Sequence, residues 1–83
     1  MLKLYTLSNC IHCNELKSLL KNDKIEFQEI DVDLPENEKN FLKIHRLTKS
    51  DDVPIIIVNK MVLVPNISFK TINEAIELIK KNL

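Results

Sequence analysis

The chain of 83 residues contains no glycine and no tryptophan, and only two cysteines and two histidines. Without glycine, the Asn-Gly type of hairpin turn is excluded, and any two-residue turn has to be made from residues that carry a Cβ atom. Two cysteines with His12 and His45 are the only soft metal ligands. A zinc site needs about four, and His12 lies between the two thiols, so we expect no metal site within one chain.

The charges are balanced as well, with 12 Lys and Arg against 12 Asp and Glu. No basic stripe is present, so neither nucleic acid nor a membrane surface is an expected partner. No apolar run reaches transmembrane length. The N-terminal segment alternates instead of forming a signal-peptide core, so we expect a cytoplasmic protein, where lasting structural disulfides are uncommon. An apolar fraction of 45% supports one domain over residues 1–83.

The two cysteines lie together, in the segment Ser8-Asn9-Cys10-Ile11-His12-Cys13. Alternating residues before them predict a strand over 2–7, and helical spacing after them predicts a helix over 11–22. Cys13 falls on the same stripe as Leu16 and Leu20, so it should face the core. Cys10 should lie at the start of the helix.

That position has chemical consequences, because the free amides and the dipole at a helix N-terminus stabilise an anion. Cysteines in motifs of this spacing have pKa values lowered from about 8.5 to roughly 3.5–7.5, and the thiolate is the nucleophile in disulfide exchange. We therefore predict that Cys10 is the more acidic thiol. A bridge between residues three apart closes a very small loop and stabilises a fold little, which suits reversible opening.

The rest of the chain predicts an alternation of strands and helices. A strand over 25–32 would pair in parallel with the first, and Asp33-Leu34-Pro35-Glu36 starts a helix that runs to about Leu47 with Phe41, Ile44 and Leu47 inward. An apolar strand over 53–58 is expected to be covered on both faces. A hairpin turn at Asn59-Lys60, in which Lys60 must accept an unfavourable dihedral angle, leads to a strand over 61–64. A capping box at 71–74 opens a helix whose inner stripe is Ile72, Ala75, Ile76, Ile79 and Leu83.

This order, β-α-β-α-β-β-α, together with Cys10-Ile11-His12-Cys13 and Val53-Pro54, resembles the glutaredoxins and small glutaredoxin-like redoxins over essentially the whole chain. The resemblance implies an α/β thioredoxin fold: a four-stranded mixed sheet of order 2-1-3-4 flanked by three helices. It implies that Cys10 is the attacking thiol and Cys13 the resolving thiol. It also implies a cis bond at Pro54, facing the disulfide, and a substrate chain paired to the backbone of Val53.

Departures from the family pattern concern glutathione. Glutathione-using members usually carry a lysine three residues before the first cysteine, where this chain has Leu7. They also have a Gly-Gly-Cys-Asp-Asp-like segment, which corresponds here to Val64-Pro65-Asn66-Ile67-Ser68. The usual threonine before Val-Pro is Asp52. We therefore expect a protein reductase to reset the cysteine pair better than glutathione does.

Further candidates for binding substrate are His12, Tyr5, and Asp52 together with its neighbour Asp51. His12 either favours the Cys10 thiolate or is a solvated side chain at the helix start. Asp51 and Asp52 are either turn residues or a negative rim that selects positively charged partners. Tyr5 either lines the site or belongs to the core.

Two functions follow. The first is a monomeric dithiol–disulfide oxidoreductase that needs no cofactor, acts on disulfides of proteins or small molecules, and receives electrons from a reductase or glutathione. The alternative is a non-catalytic module of the same fold, in which the cysteines sense redox state or hold a metal or iron–sulfur cluster between chains.

Overall fold

The computed structural model describes residues 2–48 and 52–83. The elements are, in chain order, β1 (Leu2–Thr6), α1 (Ile11–Asn22), β2 (Gln28–Asp31), a 3₁₀ turn (Pro35–Asn37), α2 (Glu38–Thr48), β3 (Ile55–Val58), β4 (Met61–Leu63) and α3 (Ile72–Asn82). This order confirms the predicted one. The predicted turn residues Lys49, Ser50 and Asp51 lie outside the described residues.

The four strands form one mixed sheet of order β2-β1-β3-β4, as expected. β1 lies at its centre, parallel to β2 and antiparallel to β3, so that Leu4 has Glu29 on one side and Ile56 on the other. α1 is the crossover between the parallel pair, which a parallel connection requires. β3 and β4 form the hairpin. Because β3 runs antiparallel to β1, residues 52–54, which precede β3, lie at the end of the sheet where β1 leads into α1.

Both faces of the sheet are covered, because successive side chains of a strand point to opposite faces. The larger core joins β1, β3 and β4 to α1 and α3, and its buried members are Leu2, Leu4, Leu16, Leu20, Ile56, Val58, Leu63, Phe69, Ile72, Ala75, Ile76 and Ile79. The smaller core joins the other face to α2 through Tyr5, Ile30, Ile44 and Ile55. β3 contributes to both, so it is buried on both faces as predicted.

α1 ends in a Schellman motif that contains no glycine. Lys24 adopts a left-handed conformation with φ of 56°. Its amide donates to the Lys21 carbonyl and the Ile25 amide donates to the Leu20 carbonyl, which satisfies two of the free carbonyls at the helix end. Because Ile25 is used in this way, β2 starts at Gln28 and not at Ile25 as predicted.

Three other expectations about the elements are wrong. Leu47 is 77% exposed and Leu83 is 59% exposed, so neither belongs to an inner stripe. Leu47 lies near the end of α2, and Leu83 lies beyond the last residue of α3, so periodicity overestimates the core at both helix ends. In the β3–β4 turn, the positive φ of 55° belongs to Asn59 and not to Lys60. Asparagine tolerates this conformation better than lysine does.

The left-handed lysine generates a stability prediction. Substitution Lys24→Gly should raise the free energy of unfolding by about 0.5–1 kcal/mol, because glycine removes the Cβ clash, which outweighs the greater entropy of the unfolded chain. Urea unfolding of the oxidised protein would measure it. The control, Lys21→Gly, places glycine in the helical part of α1 and should lower stability by about 0.5–1 kcal/mol. A loss of stability in both variants would contradict the argument.

Candidate active site

Cys10 is the N-cap residue of α1, with the extended backbone of a cap (φ −94°, ψ 109°). The Cys13 amide donates a hydrogen bond to the Cys10 sulfur over 3.0 Å, in the way that a serine or aspartate oxygen usually caps a helix. A sulfur held by a first-turn amide lies where the helix dipole favours negative charge. The thiol is also partly exposed, so a reactant has access to it.

Cys13 lies one turn further along α1 and is fully buried. Its sulfur is bonded to that of Cys10, and the two Cα atoms are 5.2 Å apart, within the usual range for a disulfide. Leu16 and Leu20 continue the same buried stripe, as the sequence predicts. The structure therefore places one sulfur of the pair toward solvent and the other in the core.

Val53 and Pro54 face this disulfide from the loop before β3. The Val53 carbonyl oxygen is 4.0 Å from the Cys10 sulfur. The Val53–Pro54 peptide bond is cis, as the resemblance implied, and the Pro54 side chain is buried. Within the described ranges, the Val53 amide has no hydrogen-bond partner. This amide belongs to the same residue whose carbonyl lies near the Cys10 sulfur.

A groove of about 390 Å³ runs from this loop to the start of α3. Its volume is near the lower end of the range for small-ligand sites. The lining residues come from α1, the loop before β3, the loop after β4 and the first turn of α3: His12, Glu15, Asp52, Val53, Pro54, Pro65, Asn66, Phe69, Lys70, Thr71 and Ile72. The groove is thus assembled from four segments that are distant in sequence.

The structure brings most of the predicted site residues together here. His12, Asp52, Val53 and Pro54 all line the groove beside the cysteine pair. Tyr5 does not. Its ring packs with Ile30, Ile44 and Ile55 in the smaller core, and burial raises the pKa of its phenol above the ordinary value. Tyr5 is therefore a core residue, which is one of the two roles predicted for it.

Several lining residues were not predicted. Glu15 carried a usable signal, because it lies one helical turn after His12 on the exposed side of α1. Asn66 lies in the segment that corresponds to the Gly-Gly-Cys-Asp-Asp-like turn, so the resemblance pointed to its loop, whereas Phe69 carried no signal, since only the folded loop between β4 and α3 brings it to the groove. In that loop the Asn66 amide donates to the Phe69 carbonyl over 2.8 Å, and its side-chain amide lies 3.4 Å from the Asp52 carboxylate.

A polar cluster at the end of β1 ties α1 to β2. Glu29 accepts hydrogen bonds from the Lys17 ammonium and the buried Thr6 hydroxyl, each over 2.7 Å. The hydrogen bond from Lys17 is the main cause that lowers the pKa of Glu29 below its ordinary value. Partial burial opposes it, and the Thr6 hydrogen bond and the Lys17 charge add to it. This cluster fixes α1 on the sheet on the side away from the groove.

The described residues contain neither a metal-binding cluster nor a membrane-spanning helix. No group of three or more histidine, cysteine or carboxylate side chains is arranged to hold a metal ion within residues 2–48 and 52–83. Over the same ranges, no helix is long and apolar enough to cross a membrane.

Comparison with known proteins gives consistent matches. The glutaredoxin family model matches residues 2–63. An uncharacterised glutaredoxin-like 8.6 kDa protein in the rubredoxin operon of Clostridium pasteurianum is 30% identical over 64 residues, which is 77% of this chain and 83% of the relative. The thioredoxin-like protein BC3987 superposes over 100% of both chains with a TM-score of 0.74 at 20% identity. A glutaredoxin from Archaeoglobus fulgidus covers 98% of this chain and 83% of its own, with a TM-score of 0.70 at 24% identity. At these identities the two structures show a shared thioredoxin-like fold.

The Glu29 cluster generates a prediction about pH. The pKa of Glu29 is lower in the folded state, so its contribution to stability is present above the unfolded pKa and is lost as pH falls through the folded one. Lys17→Met should lower stability by about 0.5 kcal/mol at neutral pH, since the pair is partly exposed, and the difference should vanish in acid. Urea unfolding between pH 2.5 and 7 measures this. Lys43→Met, on exposed α2, is the control and should show no such pH dependence. A pH-independent loss in the Lys17 variant would rule out the carboxylate as the cause.

Proposed function

This chain belongs to the glutaredoxin family, and we propose that it is a dithiol–disulfide oxidoreductase in which Cys10 attacks and Cys13 resolves. The observation that carries the proposal is the inequality of the two sulfurs. The Cys10 sulfur accepts the Cys13 amide at the helix start and is partly exposed, whereas Cys13 is fully buried one turn away. An accessible, stabilised thiolate is the attacking group that exchange requires.

The reaction proceeds in two exchanges. The Cys10 thiolate attacks one sulfur of a substrate disulfide, a mixed disulfide forms, and the other substrate sulfur leaves as a thiolate that takes up a proton. Cys13 then loses its proton and attacks the Cys10 sulfur. The Cys10–Cys13 bond forms, and the second substrate sulfur leaves as a thiol. The substrate gains two electrons and two protons, which the dithiol loses.

Val53 gives the substrate its orientation in this proposal. Its free amide and its carbonyl, 4.0 Å from the Cys10 sulfur, offer the donor and acceptor that an extended peptide uses when it pairs with a strand edge. A disulfide-bearing protein segment laid along the groove would thus present its sulfur to Cys10. Pro54 has no amide hydrogen and leaves this edge open.

A protein reductant is the proposed electron donor. Leu7 stands where glutathione-using relatives carry a lysine, so a charge-assisted bond of roughly 1.5–3 kcal/mol is missing. The three backbone amides at 66–68 in the loop after β4 offer no replacement, because they bond within the loop, and Lys70 is the cation that the groove lining keeps. The amides of Ile67 and Ser68 donate to the Val64 carbonyl, and that of Asn66 donates to the Phe69 carbonyl. We propose disulfide-bearing proteins as substrates and a monomer in the cytoplasm as the working state.

The roles of the two thiols can be tested separately. Cys10→Ser should abolish disulfide reduction, whereas Cys13→Ser should accumulate a mixed disulfide on Cys10, since the resolving thiol is gone. Mass spectrometry after exposure to a disulfide substrate would show the adduct. A metal analysis and an absorbance spectrum of freshly purified protein accompany the assay. A bound cluster together with absent turnover would favour the alternative of a binding module. An active Cys10→Ser protein with its adduct on Cys13 would reverse the assignment.

The electron donor is tested by paired turnover assays on one disulfide substrate. One assay is driven by glutathione with its reductase and the other by a thioredoxin reductase. We expect turnover to be at least tenfold faster with the protein reductant, because the loss of two charge-assisted contacts lowers the affinity for glutathione by about one or more powers of ten. Leu7→Lys is the matched variant and should reduce the difference in turnover rate between the two reductants. Efficient turnover of the parent with glutathione alone would overturn this part of the proposal.

A further inference from the structure

We propose that the groove selects a disulfide partner with a basic side chain beside its reacting cysteine, and that Asp52, positioned by Asn66, and Glu15 determine this preference. The inference rests on the proposed exchange at Cys10 and names the substrate class for it. Val53 lines the groove and its carbonyl lies 4.0 Å from the Cys10 sulfur, so a segment that reacts there and extends along the groove passes these carboxylates.

Asp52 is adjacent in sequence to the residue that would pair with the substrate. Its carboxylate accepts a hydrogen bond over 3.4 Å from the side-chain amide of Asn66, which also lines the groove. Asn66 itself adopts a left-handed conformation, with φ of 66°, and its backbone amide is bonded to Phe69. The loop conformation therefore presents the asparagine side chain to Asp52 and holds the carboxylate at the groove. Asn66 acts as a positioning residue.

Glu15 supplies the second carboxylate from α1. It is exposed and lines the groove two residues after Cys13. Among the described lining residues Lys70 is the one cation, with His12 counted as neutral, so the charges of these described groups sum to minus one. Charges arranged around a binding groove govern the choice and association rate of partners more than the final affinity. The expected effect is thus a preference in rate.

The start of α3 adds a further obstacle to anions. The first-turn amides of a helix attract negative charge, but here the nearest carboxylate belongs to the chain itself. Glu74 accepts from the Lys70 amide over 3.3 Å and lies 3.4 Å from the Thr71 hydroxyl, while its own amide donates to that hydroxyl over 3.2 Å. The capping box therefore brings a negative charge to the end of the groove that would otherwise receive an anionic ligand.

The test uses reduction of the Cys10–Cys13 disulfide by three small thiols: cysteamine, which is cationic, 2-mercaptoethanol, which is neutral, and 3-mercaptopropionate, which is anionic. Each rate is divided by the rate of the same thiol with hydroxyethyl disulfide, which removes intrinsic reactivity. Alkylation and mass spectrometry follow the reduced fraction. At 10 mM salt we expect the normalised rate with cysteamine to exceed the normalised rate with 3-mercaptopropionate about tenfold; this quotient is the ratio used below. At 1 M salt the ratio should approach one, because the screening length falls from about 30 Å to 3 Å.

Variants assign the preference to residues. Asp52→Asn and Glu15→Gln should each lower the ratio about two- to threefold, which is the size expected of exposed charges. Asn66→Gly keeps the left-handed backbone and removes only the side chain. It should lower the ratio in the parent but not in an Asp52→Asn background. Glu77→Gln removes an exposed charge of α3 outside the groove lining and is the matched control, with an unchanged ratio.

The outcomes separate this inference from the proposed function. A normalised ratio near one in the parent, or a ratio that Glu77→Gln lowers as much as Asp52→Asn, would overturn the inference and leave the exchange reaction untouched. Loss of catalysed turnover with the ratio intact would overturn the oxidoreductase proposal alone. As a final check, the reduced protein should react faster with a peptide disulfide flanked by lysine than with the same peptide flanked by glutamate, by about fivefold at low salt.

Discussion

The hydrogen bond from the Cys13 amide to the Cys10 sulfur is the interaction on which the site depends. This bond caps the N-terminus of α1 a few residues after β1 ends. The helix then crosses back over the sheet, which allows β2 to pair with β1 in parallel. The bond also makes two chemically identical side chains unequal. Cys10, as the N-cap, lies at the exposed end of the helix and stays half-buried. Cys13 lies one turn further along and belongs to the buried stripe that contains Leu16. The proposed division between attack and resolution therefore rests on the geometry of the helix start.

The absence of glycine shapes the surroundings of this pair. In the part of the chain that the structure describes, three residues adopt left-handed conformations, namely Lys24, Asn59 and Asn66, and each stands at a turn where glycine is the usual choice. At Lys24 the replacement supplies no side-chain hydrogen bond and only costs stability. At Asn66 the side chain reaches Asp52, which a glycine in the same conformation cannot do. Asn66, which is less favourable than glycine for this backbone conformation, thus supplies a side-chain contact to Asp52 in the groove.

Most of the fold could be predicted from the sequence, because the signals are local: alternation in β1, the buried run of β3 and the capping box of α3. The errors arise where a nonlocal contact decides. Ile25 continues an apolar pattern but is used by the end of α1, and Leu47 and Leu83 match a periodicity that extends beyond the core. Tyr5 could not be assigned, because both faces of β1 are covered and alternation does not say which face holds the site. The groove was largely unpredictable for the same reason, since four separate segments build it.

The internal bonding of the loop after β4 restricts what can occupy the groove. A small anionic thiol depends on a few strong contacts, and the amides of Asn66, Ile67 and Ser68 that could provide them are all bonded within the loop. An extended polypeptide depends instead on backbone pairing at Val53 and on contact along the whole groove, so it tolerates the loss of any one charged contact. The same substitutions therefore weaken the two kinds of ligand unequally. The bonded loop amides and the open strand edge at Val53 are therefore the two grounds on which protein partners are proposed.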